Sequence, residues 1–323
     1  MKNLTRKMIT AGMAATMVAS LGIAANAEEA SYKVGICQLI QHEALDAATQ
    51  GFQDALTEKL GDRVEFDVQN ASGESVNCST IINGFVSDQV DLILANATGA
   101  LQAAVAGTSD IPILGTAVTD YATALDIDDW TGTVGGNVSG TSDCAPLDQQ
   151  AAMILELVPE AKTVGMLYCS AEPNSEYQVN VVTEALKELN PDLEIKNYTF
   201  ADSNDISSVA TSATECDVVY IPTDNTAANN TEAINNVMEP AGVPVIAGEV
   251  GICQGCGIAT LSISYYDLGY TTGEMAYEIL EEGADISTME VQYAPNVTKQ
   301  YMADRCEKLG ITVPDDYEAI EAE

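Results

Sequence analysis

Acids, amides and hydroxyls gather where strand-like runs give way to helix-like ones, and no cation accompanies them. Gln41 and His42 follow the apolar run 33–37. Thr98 and Gly99 follow 91–95, Thr119 and Asp120 follow 111–114, and Asp143 ends the stretch 139–143. In the second half, Glu172 and Asn174 follow 163–168, Asp224 and Asn225 follow 217–221, and Glu249 follows 243–246. Free amides at a helix start hold carboxylates, which suits Thr98 and Gly99. Asp143, Asp224 or Glu249 would pair with an ammonium. Together they fit a zwitterion such as an amino acid, whereas a sugar phosphate would call for Lys or Arg. Each acid has a bland alternative use as a helix cap or turn, and Asp224-Asn225-Thr226 reads equally well as a cap.

Covalent and metal chemistry find little support. The chain has one His and one Trp in 323 residues, so neither a His-rich metal site nor a two-His catalytic site can form. It contains no G-x-S-x-G, no phosphate-binding G-x-x-x-x-G-K-S/T and no dinucleotide G-x-G-x-x-G after a strand. The run 132–136 (GTVGG) has the wrong spacing, and no calcium-loop pattern occurs. No catalytic residue, metal or cofactor is expected. The charge balance, 12 Lys and Arg against 49 Asp and Glu for a net −37, argues against nucleic acid and against an anionic membrane surface as partner. Its simplest effect is solubility through self-repulsion.

The elements that would hold these loops repeat. A strand-like run at 33–37 leads to a helical spacing of Leu45, Ala48, Phe52, Leu56 and Leu60. A strand at 63–68, a helix at 75–86, the strand 91–95, a short helix at 97–106 and a strand at 111–114 follow. The same succession restarts at 163–168, with a helix at 175–189, a strand at 193–198, a helix at 205–213, the strand 217–221, a helix at 226–238 and the strand 243–246. Gly35 and Gly165, Asp91 and Asp217, and Pro112 and Pro244 are each separated by about 130 residues, the spacing of a duplicated domain rather than a solenoid. Alternating apolar strands and amphipathic helices predict α/β lobes with parallel sheets covered on both faces. A further strand (257–263) and helix (266–282) imply a chain that crosses between lobes, with crossovers expected at 139–143, 247–250 and 285–292. The expected division is residues 28–140 with 251–285 in an N-terminal lobe, and 141–250 with 286–323 in a C-terminal lobe. Two lobes on such a hinge close around a ligand. In parallel α/β sheets that ligand lies beyond the carboxyl ends of the strands.

Lys2, Arg6 and Lys7 precede an uncharged stretch, 8–25, and Ala25-Asn26-Ala27 is a peptidase signal. Residues 1–27 therefore read as a signal peptide cleaved after Ala27; the alternative is a retained signal anchor. No Cys stands at the cleavage site, so no lipid anchor is expected. The eight cysteines lie beyond it. Cys37, Cys169 and Cys216 read as small buried apolar residues. Cys253 and Cys256 lie between two strand-like runs, where a local disulfide or two free thiols fit better than a redox pair or a zinc site.

Several ordered motifs resemble one family: Val34-Gly35-Ile36-Cys37-Gln38 with Gln41-His42-Glu43-Ala44-Leu45-Asp46-Ala47-Ala48, Gly115-Thr116-Ala117-Val118-Thr119-Asp120, and Gly136-Asn137-Val138-Ser139-Gly140-Thr141-Ser142-Asp143. Glu172-Pro173-Asn174-Ser175, Pro222-Thr223-Asp224-Asn225-Thr226 and Ser264-Tyr265-Tyr266-Asp267-Leu268-Gly269 complete the set. Over the mature chain this resembles ABC-transporter substrate-binding proteins of the tryptophan/tyrosine type. The resemblance implies a type I periplasmic-binding-protein fold, with two doubly wound parallel-sheet lobes on a multi-strand hinge. It also implies capture of an aromatic amino acid outside the cytoplasm by a monomer that docks on a membrane permease, with Tyr121 and Tyr265 as candidate walls of the side-chain pocket. A sensory module presenting its ligand to a receptor, or an importer component for another small solute, would share this fold. The chain departs from the family pattern in lacking a Cys after the signal and in carrying the Cys253/Cys256 pair.

Overall fold

The computed structural model describes residues 31–294 and 296–321; the expected signal segment lies outside them. The first lobe opens with β1 (Tyr32–Gln38), α1 (Glu43–Leu60), β2 (Val64–Asn70), α2 (Ser75–Asp88), β3 (Leu92–Asn96), α3 (Thr98–Gly107), β4 (Ile113–Val118), α4 (Tyr121–Ala124) and β5 (Val138–Ser142). The second continues with α5 (Leu147–Leu157), β6 (Thr163–Cys169), α6 (Pro173–Leu189), β7 (Glu194–Phe200), α7 (Ile206–Ala213), β8 (Val218–Ile221), α8 (Asn225–Ala228), α9 (Thr231–Ala241), β9 (Val245–Ala247), α10 (Val250–Cys256) and β10 (Ala259–Ile263). Then come α11 (Tyr265–Leu280), β11 (Gln292–Tyr293), β12 (Val297–Tyr301), α12 (Ala303–Leu309) and β13 (Glu318–Ala319).

The first sheet has the order β11-β5-β4-β3-β1-β2 and the second β13-β12-β10-β9-β8-β6-β7. Each contains the same five-strand core, because β5-β4-β3-β1-β2 and β10-β9-β8-β6-β7 follow one rule. All pairings are parallel except β10 with β12. The central strands β3, β4 and β8 are buried throughout, as expected of strands covered by helices on both faces. Edge strands β2 and β7 hold exposed and partly buried positions, with buried Phe200 at the end of β7.

The lobe boundaries differ from expectation. Strand β10 pairs with β9 and β12, so residues 251–263 sit in the second lobe rather than the first. Helix α11 then returns to the first lobe and lies against α1. The two helices approach so closely that a side chain at Gly51 would meet the backbone of Tyr266, and one at Gly269 the backbone of Ala48. Thr272 on α11 shares hydroxyl hydrogen bonds with Thr141 (2.8 Å) and Thr116 (3.2 Å), tying the helix to β5 and β4. The chain therefore crosses between lobes after β5, between β10 and α11, and between β11 and β12. The expected crossover at 247–250 is instead a β9-to-α10 turn within the second lobe, because β9, α10 and β10 form one continuous unit there.

The expected helix 226–238 is two helices, α8 and α9, broken where Asn230 leaves the helical region (φ −131°, ψ 26°). The Cys253/Cys256 pair lies in helix α10, between β9 and β10, and all eight cysteines are free thiols. No helix among the described residues is long and apolar enough to cross a membrane.

Candidate functional site

The carboxyl ends of the strands in both sheets face one interlobe cleft, as the parallel topology requires. From the first lobe come the loop after β1 (Leu39–His42), the sharp turn at Ala97 before α3 (φ 88°), the β4 exit at Thr119 and Asp120, and Asp143 after β5. From the second come the β6, β8 and β9 exits carrying Glu172, Asp224 and Glu249. Two cavities open along the seam. One, of about 600 Å³, is lined by Gln41, His42 and Glu249 among others. The other, of about 440 Å³, is lined by Gly99, Glu172, Asn174 and Asn225 among others. Thr98, Thr119, Asp143 and Asp224 are buried and line neither opening.

The acids divide by what already occupies their oxygens. Glu172 accepts from the backbone and side chain of both Asn225 and Thr226 at 2.7–3.0 Å, which caps α8. Asp224 accepts from the Cys169 amide (2.7 Å), the Ser175 hydroxyl (2.8 Å) and the Ala227 amide (2.8 Å). Glu249 caps α10 through the amides of Gly251 and Ile252. Asp120 caps α4 by accepting from the Thr123 amide at 2.7 Å. Asp120, Asp224 and Glu249 are N-cap residues whose side chains accept from first-turn amides of their helices, while Glu172 reaches the start of α8 from the β6 exit. Asp143 is different. Its Oδ2 accepts the Tyr265 hydroxyl at 2.8 Å, while its Oδ1 is buried with no partner.

Burial raises the Asp143 carboxyl above its ordinary value, with the Tyr265 and Thr119 hydroxyls and its own backbone pulling it back. Burial likewise pushes Glu249 up to about 7, opposed by its two backbone amides and reinforced by Glu43 and Asp143. Asp224 is raised by burial and by the neighbouring Glu172 charge. The Tyr265 hydroxyl is raised by burial and by the Asp143 and Glu249 charges, so it remains a donor at neutral pH.

The lobes are joined across the seam. His42 Nε2 lies 3.2 Å from Asn225 Oδ1. Because the Asn225 amide nitrogen donates to Glu172, its oxygen is the acceptor and the imidazole Nε2–H the donor. Burial lowers the His42 pKa more than Asn225, Glu172 and Asp46 raise it, leaving the ring neutral at pH 7. One position on, the Gln254 side-chain amide reaches the Glu43 carboxylate, an α1-to-α10 contact; with the amide oriented to place its nitrogen against the two carboxylate oxygens, it donates to Glu43 at 2.7 Å. Asn174 holds the β8 exit by donating to the Thr223 carbonyl at 3.1 Å.

The two tyrosines expected as pocket walls do different things. Tyr265 touches the site through Asp143. Tyr121 points into the first lobe instead, where its hydroxyl donates to the Thr141 carbonyl at 3.1 Å and its ring stacks on Trp130 at 6.4 Å. It fits there because Gly115 and Gly140 have no side chains. Arg305 is not among the residues expected from sequence. Its guanidinium donates to the carbonyls of Cys253, Gly255 and Gly257 at 2.8–3.0 Å and so holds the C-terminal end of the helix that Glu249 starts. An isolated Arg about fifty residues away carries no local signal for that role. Among the described residues, no group of three His, Cys, Asp or Glu side chains is placed to hold a metal ion.

The family model described as ABC transporter substrate binding protein matches residues 33–322. Over 252 residues the chain is 37% identical to a tyrosine-binding protein of Clostridioides difficile, covering 77% of this chain and 72% of that one. The structure of an ABC domain in complex with L-Trp from Streptococcus pneumonia is similar with a TM-score of 0.85 at 29% identity, covering 90% of this chain and 100% of that one. The ligand-free, open structure of a substrate binding protein with adhesive properties from Clostridium difficile gives a TM-score of 0.69 at 34% identity, with the same coverage. The higher score with the ligand-bound structure, despite lower identity, matches the interlobe contacts made by His42 and Glu43.

Proposed function

The chain belongs to the ABC transporter substrate-binding protein family, and from that premise we propose that it captures an aromatic amino acid in the interlobe cleft and presents it to an importer permease. The observation that carries this reading is the buried, unpartnered Oδ1 of Asp143, since an unpaired carboxylate oxygen away from water is costly and an ammonium N–H satisfies it. The ligand carboxylate would meet the amides at the start of α3, at Thr98 and Gly99. The preference for an aromatic side chain rests on the tyrosine-binding and L-Trp-bound relatives.

In this reading Asp143 is the primary ligand group. Glu172, Asn174, Asp224, Asn225 and Glu249 shape the second lobe's wall, while Gln41, His42, Thr119 and Asp120 shape the first lobe's. The protein acts as a monomer outside the cytoplasm, after cleavage of the signal at Ala27, and catalyses no reaction. The engagement of Glu172, Asp224 and Glu249 with backbone amides supports that last point, because a general acid or base must be free to exchange its proton with a substrate.

Thermal unfolding of the mature protein against the twenty amino acids tests the proposal. A ligand at a hundred times its dissociation constant stabilises the folded state by about 2.7 kcal/mol. Stabilisation by Trp, Tyr or Phe, lost in Asp143→Asn, is expected. Stabilisation by a different solute alone would overturn the ligand assignment.

A further inference from the structure

Resting on that reading, closure depends on how the loop after β8 is held. That loop carries Asn225, which meets His42 across the seam at 3.2 Å and lines the cavity of about 440 Å³. The sheet holds the loop only as far as its strands pair. Strand β8 pairs with β6 as far as Tyr220 and Met166, and with β9 as far as Ile221 and Ala247. Thr223 lies two residues past the last of these pairs, between buried Pro222 and buried Asp224. Peptide groups that leave a sheet inside the protein must find partners elsewhere.

Helix α6 supplies them. Gln178 is 1% exposed, and its side-chain amide bonds both peptide groups of Thr223. Its Oε1 accepts the Thr223 amide at 3.0 Å, and its Nε2 donates to the Thr223 carbonyl at 3.1 Å. Nε2 also donates to the Asn174 carbonyl one turn back, at 3.0 Å. The orientation of the amide is thereby fixed, since its oxygen meets a donor and its nitrogen two acceptors. One residue that exchanges both an N–H and a C=O bond with another does what an antiparallel strand neighbour does. Gln178 thus continues the β8 ladder with a side chain. Asn174 and Ser175 share its helix face and bond the Thr223 carbonyl (3.1 Å) and the Asp224 carboxylate (2.8 Å). On the other side the β9 exit backs the loop, because a Cβ at Gly248 would meet the Thr223 amide nitrogen and the Pro222 carbonyl carbon. Glu172 holds the Asn225 side chain itself at 2.8 Å, after the turn, whereas Gln178 acts before it. We infer that Gln178 is a positioning residue for ligand capture: by fixing the Thr223 peptide groups it sets the turn into α8 and aims Asn225 at His42 as the lobes close. Gln178 and Thr223 both belong to the second lobe, so the clamp is present in the open and the closed form.

A double-substitution cycle with His42→Ala tests this, read as affinities and release rates of L-Trp, L-Tyr and L-Phe on the mature protein. Gln178→Met keeps the length of the side chain and removes its bonds to Thr223. It is expected to speed release and weaken binding about fivefold, as His42→Ala does, with association little changed. Because both residues act through Asn225, the double variant is expected to bind about as well as either single variant. Losses that multiply to about 25-fold would show that Gln178 acts independently of the seam bond, as a merely structural residue does, and overturn the proposal. Wild-type release in Gln178→Met overturns it as well. If Gln178→Met does not fold, amide hydrogen exchange of the ligand-free wild type decides. The Thr223 amide should be protected to the level of the β8 amides, and exchange at the rate of an open loop overturns the clamp. Absence of saturable binding of all three amino acids to the wild type overturns instead the functional reading on which this role rests.

Discussion

The Tyr265 hydroxyl donates to Asp143 Oδ2 at 2.8 Å across 122 residues of chain, while Oδ1 of the same carboxyl is buried without a partner. Tyr265 begins α11, just where the chain re-enters the first lobe, and Asp143 follows β5, just where the chain leaves it. Two of the hinge crossings are thereby tied together at the proposed ligand group. A hydrogen bond to an ionised group contributes about 1.5–3 kcal/mol. Tyr265→Phe is expected to weaken amino-acid binding by about ten- to a hundredfold with the fold intact, as read by calorimetry and circular dichroism. An unchanged affinity would remove Tyr265 from the site.

His42 and Asn225 form the seam's neutral hydrogen bond, of a kind that contributes about 1 kcal/mol. It exists only when the lobes meet. His42→Ala should therefore speed ligand release and lower affinity about fivefold, with little change in the association rate. Stopped-flow fluorescence separates the two rates; a slower association with unaltered release would contradict a latch.

Asp224 serves stability before binding. Its three donors, the amides of Cys169 and Ala227 and the hydroxyl of Ser175, are left unpaired in a buried place by Asp224→Ala. The expected loss is about 3 kcal/mol of folding free energy, measured by urea unfolding without ligand. A variant of wild-type stability would show that the cap is dispensable.

The α1–α11 contact depends on absent side chains. A Cβ at Gly269 would press on the Ala48 backbone, which cannot move aside as a flexible side chain does. Gly269→Ala is expected to destabilise the protein by about 2 kcal/mol or more, in the range of core overpacking. Gly84→Ala, where a Cβ meets nothing within 4 Å, is the matched control and should be neutral or mildly stabilising.

Cys253 and Cys256 should resist thiol reagents in the native state. Both are buried, and burial drives the first thiol far up and the second to about 12, so little thiolate exists at neutral pH. Mass spectrometry after maleimide treatment should find them labelled only once the protein is unfolded. Rapid native labelling would mean that α10 opens.

The duplicated α/β plan was legible in the residues themselves, because buried parallel strands demand continuous apolar runs and their covering helices demand a 3.6-residue period. The repeat near 130 residues, the strand-to-helix loops and the lack of cations in them all follow from the one-dimensional order. The family could be read from motifs in those same loops. Which acid is free could not. Asp143, Asp224 and Glu249 are alike in sequence, each a carboxylate at the end of a strand. The difference lies in whether the backbone turns its amides toward them, and for Asp224 and Glu249 it does. The placement of Tyr121 beneath Gly115 and Gly140 and the reach of Arg305 to α10 were also decided by tertiary structure. The crossing of the chain between β10 and α11 belongs with them. In each case the partner is far away in the chain, and local propensity cannot register a contact that exists only after the lobes have formed.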